Sequence, residues 1–261
     1  MNSNWLPEIV KRSESGPFMK EADFDMAIAR RVPELIKEHG LSYDPEVLVP
    51  ADDDMATRLY QAGMELFLEM GAYNMSTQRR VLFTRDEVEE KVALAPKDFT
   101  VGTGKDAKVM RKRGVESEIP CLIHSGPTGT PCSEQFHPFI LESCAQEPLV
   151  DCLGGGSVST YMGEKTIPGT PLEILGVQRD AAVAREATRK AGRPGMHIND
   201  VASPLTCAGK IATINPEWGM RPTDGLLVSQ MVELKTDYDQ LSRASRMKTV
   251  GMHIVDLMTP L

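Results

Sequence analysis

The chain has 261 residues, 41% of them hydrophobic, and its 29 basic and 37 acidic residues give a formal net charge of −8. That apolar content supports a sizeable core and excludes a disordered chain, while the acidic balance excludes nucleic acid and acidic membrane surfaces as partners, since both demand clustered Lys and Arg. No run of about 18 apolar residues occurs, and Met1-Asn2-Ser3-Asn4-Trp5 lacks the charged-then-apolar order of a secretory leader, so a cytoplasmic protein with no membrane partner is expected.

Apolar positions at Phe24, Ala27, Ile28, Leu35 and Ile36 predict a helix from Asp23 to His39, with Pro33 breaking or bending it. Asp52-Asp53-Asp54 opens a second helix, where carboxylates complement the positive end of the helix dipole, and Gly71 ends it. Thr84-Arg85-Asp86-Glu87 fits a capping box for a third helix that runs to Ala95, before Pro96. Gly102-Thr103-Gly104-Lys105 lacks the spacing of a phosphate-binding loop and reads as a turn. The basic cluster Lys108-Val109-Met110-Arg111-Lys112-Arg113 reads as a solvated helix end. Residues 1–114 thus form a mainly helical region.

Beyond Gly114 short apolar runs alternate with helices, the texture of β/α units around a parallel sheet. Strands are expected at Ile119–His124, Leu149–Leu153, Met196–Asn199 and Met252–Leu257, further strand-like apolar runs lie near Ile211–Ile214 and Leu226–Leu234, and helices are expected at Ser133–Glu147, Pro171–Ala191 and Asp237–Lys248. Gly192 and Pro194 stop the long helix, after which Met196 and Ile198 alternate with His197 and Asn199. Residues 115–261 hold only four or five units of roughly 31 residues each, so the expectation is an α/β protein: a partial, TIM-barrel-like β/α barrel with a helical N-terminal extension. The same arithmetic suggests part of a larger protein, and the open sheet edges suggest self-association.

Barrel chemistry sits at the carboxyl ends of strands. On that rule Asn199 and Asp200 are the candidate catalytic residues, and His124, Gly155, His197, His253 and Asp256 the candidate substrate-binding residues. Three strand-borne histidines also open an alternative, a metal-dependent hydrolase, although no G-x-S-x-G elbow is present and no metal ligand set is assigned. Cys121, Cys132, Cys144, Cys152 and Cys207 are odd in number and form no Cys-x-x-Cys pair, so they read as reduced thiols.

Four collinear segments carry a more specific signal: Gly102-Thr103-Gly104-Lys105-Asp106-Ala107 with Arg111-Lys112-Arg113; Gly126-Pro127-Thr128-Gly129; Ala191-Gly192-Arg193-Pro194-Gly195-Met196; and Val228-Ser229-Gln230 with Glu233-Leu234-Lys235. In order and spacing they resemble the monomethylamine methyltransferases of methylotrophic methanogens, over little more than the N-terminal half of that family's length. The resemblance implies a homo-oligomeric barrel that moves a methyl group from a small methylated amine to the Co(I) of a corrinoid protein. The corrinoid is carried by that partner, so no cofactor is bound directly. The family's pyrrolysine stands three residues beyond the Met of Gly-Arg-Pro-Gly-Met, where this chain has Asn199, and two acids of the family's site fall at Leu227 and Leu257. Asp200 and Asp256 adjoin two of these positions, although neighbouring residues on a strand face opposite ways. Asn199 offers a hydrogen-bonding carboxamide and no electrophile. A noncatalytic paralogue, acting by association with barrel subunits or a corrinoid protein, is therefore the rival to an active transferase.

Overall fold

The computed structural model describes residues 5–48, 50, 52–114, 117–127, 130–199, 206–228 and 233–255. The first elements are α1 (Leu6–Ser15), α2 (Glu21–Glu38), α3 (Asp53–Met70), β1 (Ala72–Asn74), β2 (Arg79–Val81) and α4 (Arg85–Leu94). Next come β3 (Asp98–Val101), β4 (Lys108–Arg111), β5 (His124–Ser125), α5 (His137–Gln146), β6 (Cys152–Gly154), β7 (Thr160–Tyr161) and β8 (Glu164–Lys165). The remainder are α6 (Pro171–Lys190), β9 (His197–Asn199), α7 (Cys207–Ala212), β10 (Gly225–Leu227), β11 (Lys235–Thr236), α8 (Tyr238–Val250) and β12 (His253–Val255).

Two compact units result. The first holds the described residues up to Ala95 and the returning segment from Glu233 to Tyr238; the second holds Pro96 to Val228 and Asp239 to Val255. The first unit therefore closes at Ala95, ahead of the boundary expected after 114. The cause is the β3–β4 hairpin, whose backbone bonds to the second unit: the Gly102 amide donates to Thr223 O at 3.1 Å and the Thr103 amide to Gly195 O at 2.8 Å.

In the first unit α1–α4 accompany a small sheet of order β11-β1-β2, in which β11 runs parallel to β1. Phe24 and Tyr73 stack at 4.8 Å between ring centroids in its core, with Met70. The Asp52 carboxylate caps α3 by accepting from the Met55 amide at 2.9 Å, and Thr84 with Glu87 makes the full capping box of α4. Pro33 does not break α2, which continues to Glu38; Phe24 and Leu35, buried on either side of it, hold the helix through the missing backbone bond.

The second unit is built on a parallel sheet of order β12-β10-β9-β6-β5. Leu153, Ile198 and Leu226 point to one side, into a core with Leu141 and Ala145 of α5, Ala181 and Ala184 of α6, and Met247 of α8. This is the α/β architecture expected of β/α units, with two corrections. The run Ile211–Ile214 is no strand: Thr206 caps the segment by accepting from the Gly209 amide at 3.1 Å, and α7 forms there, since periodicity cannot separate a short buried helix from a strand. The basic cluster is no helix end either; it lies on β4, paired antiparallel to β3.

Candidate functional site

Side chains alternate across a strand, so the positions between the helix-facing ones look to the other side of the sheet. Register groups them in rows. His124, Cys152 and His197 form one row; Gly154, Asn199, Gly225 and His253 form the next, and Leu227 lies two residues beyond Gly225 on the same side. Asn199 thus stands between two glycines, Gly154 on β6 and Gly225 on β10, and closes the carboxyl end of β9. Its Oδ1 is buried and accepts no hydrogen bond. An orphaned acceptor at a strand's carboxyl end is unusual enough to need an explanation. Gly126 sits tight against this row, since a Cβ there would fall 2.1 Å from Gly154 O.

The opposite end of the sheet is closed by structural contacts. Gly195 must lack a side chain, because a Cβ would come 2.1 Å from Thr103 O, and its amide donates to Asp106 Oδ2 at 2.9 Å. Arg193 closes the carboxyl end of α5, its guanidinium donating to Ala145 O and Glu147 O at 3.2 Å each and to Val150 O. The Gly-Arg-Pro-Gly-Met motif is therefore a clamp that sets the start of β9 and, through it, the height of Asn199.

Asp224 completes that setting. One carboxylate oxygen accepts from the Ile198 amide at 2.9 Å and the other from the Arg221 amide at 2.7 Å and from Arg185 Nη2. Arg185 also donates to Met196 O and Gly219 O, so a buried ion pair ties α6 to the amino ends of β9 and β10. No sequence signal joins residues 39 apart in this way.

His197 is buried, and desolvation lowers its pKa, which keeps the ring neutral. Its Nδ1 lies 2.8 Å from Thr223 O, so that nitrogen carries the proton. His253 shares Asn199's row two strands away, but its Nε2 donates to Thr100 O at 3.0 Å and its ring rests on Phe99 at 4.8 Å. His124 is exposed on the edge strand β5, and Gly155 is buried one residue past the end of β6. Asp200 and Asp256, like Leu257, lie outside the described residues. Among the described residues no three His, Cys, Asp or Glu side chains gather into a metal-binding group, and the hydrolase alternative has no support. Close by Gly156, Cys132 Sγ and His137 Cδ2 would meet an added Cβ at 2.9 and 3.4 Å. His137 and Asp180 face each other there, buried, with 3.9 Å between Nδ1 and Oδ1. Desolvation pushes His137 down to about 4 and Asp180 up to about 6, the latter against the pull of Arg179.

Parallel strands with covering helices and a glycine-flanked polar residue at a strand's carboxyl end define an α/β protein built of β/α units. The model of the family "Monomethylamine methyltransferase MtmB" matches residues 6–261, and the chain belongs to that family. It is 35% identical over 251 residues to monomethylamine methyltransferase MtmB of Methanosarcina mazei, and 34% identical over 251 residues to MtmB2 of Methanosarcina acetivorans. In both cases 96% of this chain and 54% of the relative are covered, so the chain spans about half the length of the curated relatives it matches. The crystal structure of the Methanosarcina barkeri monomethylamine methyltransferase superposes with a TM-score of 0.93 at 33% identity, covering 98% of this chain and 56% of that one. A hydroxylamine complex of MtmB matches equally well.

Proposed function

We propose that this chain serves methyl transfer from a small methylated amine to a corrinoid protein, and that the Gly154–Asn199–Gly225 row is its amine-binding wall. The observation that carries the reading is the orphaned Oδ1 of Asn199, placed between two residues without side chains on the side of the sheet away from the helices. Asp200 joins Asn199 in this reading as a catalytic residue, and His124, Gly155, His197, His253 and Asp256 as the surrounding shell. The corrinoid belongs to the partner, and no residue of this chain is assigned to hold it. Cytoplasmic location agrees with the finding that no described helix is long and apolar enough to cross a membrane. Homo-oligomerisation is proposed as well, since β5 and β12 are edge strands among the described residues and open edges recruit partners.

A second reading, a noncatalytic paralogue, is favoured by Leu227, an apolar residue on the same side as Asn199. One assay separates the two. Monomethylamine binding to the purified chain is measured by NMR titration, and a Co(I) corrinoid protein is then added and its spectrum followed. Asn199 supplies no electrophile, so binding of the amine without steady methylation is the expected result for the chain alone. Steady methylation contradicts the noncatalytic reading; failure to bind any methylated amine contradicts the primary one.

A further inference from the structure

We infer that Asn199 is the specificity-determining residue of this site, reading the ligand's N–H through its carboxamide oxygen in a noncovalent complex, so that methylated amines are admitted only while they retain an N–H. The inference rests on the amine-binding reading above and names what that site selects.

Three observations on this chain's own residues meet here. Asn199 Oδ1 is an acceptor already withdrawn from water and left without a donor, so it carries a desolvation penalty that a ligand donor removes. The two neighbours of Asn199 in its row are Gly154 and Gly225, so no Cβ from either adjoining strand stands beside the carboxamide. Leu227, on the same side and two residues beyond Gly225, presents apolar surface toward which a methyl group can turn while the N–H turns to the oxygen. Among the described strand positions on this side the titratable groups are His124, Cys152, His197 and His253. His197 and His253 each commit one ring N–H to a backbone carbonyl, while Asn199 keeps an unspent buried acceptor at the carboxyl end of its strand.

A site built around a hydrogen-bond acceptor rejects an analogue that lacks the donor, because the buried acceptor is then left unpaired. Trimethylammonium and tetramethylammonium make the sharpest pair: they carry the same charge and differ by one methyl in place of the single N–H. Binding of both to the full chain, measured by NMR titration alongside methylamine and dimethylamine, should favour trimethylammonium by about tenfold or more, the worth of one rescued buried acceptor. Asn199→Leu should bring the two ligands to within about twofold, with circular dichroism confirming the fold. Asn199→Ala, which adds no bulk, should do the same if the leucine variant proves unstable. Equal binding of the two ammonium ions to the unmodified chain, or a preference that survives in both variants, overturns the assignment of Asn199. If none of the four amines binds, the amine-binding reading itself falls, and this inference with it.

Discussion

Replacing Asp224 tests whether the height of Asn199 is set from outside its own strand. The carboxylate is 1% exposed and accepts from Ile198 N at 2.9 Å, Arg221 N at 2.7 Å and Arg185 Nη2. Asp224→Ala leaves two backbone amides and a guanidinium without their acceptor. Orphaned buried groups cost about 1–3 kcal/mol each, and breaking one side of a buried ion pair costs about 3–5 kcal/mol. The terms overlap, so a loss of roughly 4–6 kcal/mol is expected, enough to threaten a domain whose total is about 5–15 kcal/mol. Asp224→Asn is the workable probe: it keeps the shape, retains one acceptor oxygen, and should cost about 2–4 kcal/mol. Urea denaturation followed by Trp218 fluorescence in a Trp5→Phe background reads the second unit. Pairing Asp224→Asn with Arg185→Met should cost less than the sum of the two, because the second change removes the charge that the first strands. A loss under about 0.5 kcal/mol for Asp224→Asn, or strict additivity, would refute the reasoning.

Asn199→Ala should leave stability unchanged or slightly raised, within about 1 kcal/mol, because it deletes an orphaned acceptor; a loss above about 2 kcal/mol in a thermal melt would mean that Asn199 is structural. His137 and Asp180 should oppose each other in acid. The depressed histidine destabilises the fold as pH falls from about 6.5 toward 4, while the raised carboxyl stabilises it as pH falls from about 6 toward 4. His137→Gln should therefore make the chain gain stability relative to the parent between pH 6 and 4, and Asp180→Asn should make it lose stability. Parallel melting-temperature curves for all three proteins would contradict this. Thr84→Ala removes the capping box of α4 and should cost about 1 kcal/mol, measured by chemical denaturation of the first unit.

Local chemistry explains why parts of this fold could be read from the chain. The Asp52 cap, the Thr84–Glu87 box and the helix from Pro171 each depend on residues within four positions of one another, and each stands where the spacing predicts. Short elements defeated the same reasoning. Ile211–Ile214 is apolar enough for a strand, and only the Thr206 cap makes it helical; Lys108–Arg111 is basic enough for a helix end, and only its pairing with Asp98–Val101 makes it a strand. At the site, Asn199 could be reached from its place after the Gly-Arg-Pro-Gly-Met motif. Its flanking glycines and the Asp224–Arg185 tie could not, because the register of β6, β9 and β10 joins residues 26 to 45 positions apart, and such register depends on the whole sheet.

A methylated amine is expected to bind at the carboxyl end of β9. Nuclear Overhauser contacts from ¹³C-labelled methylamine to a methyl-labelled chain locate it directly. Contacts to the Leu227 methyls and the Asn199 side chain, absent for Met196 and Thr103 at the other end of β9, are predicted; contacts confined to that amino end, or to His137, would contradict the placement of the site.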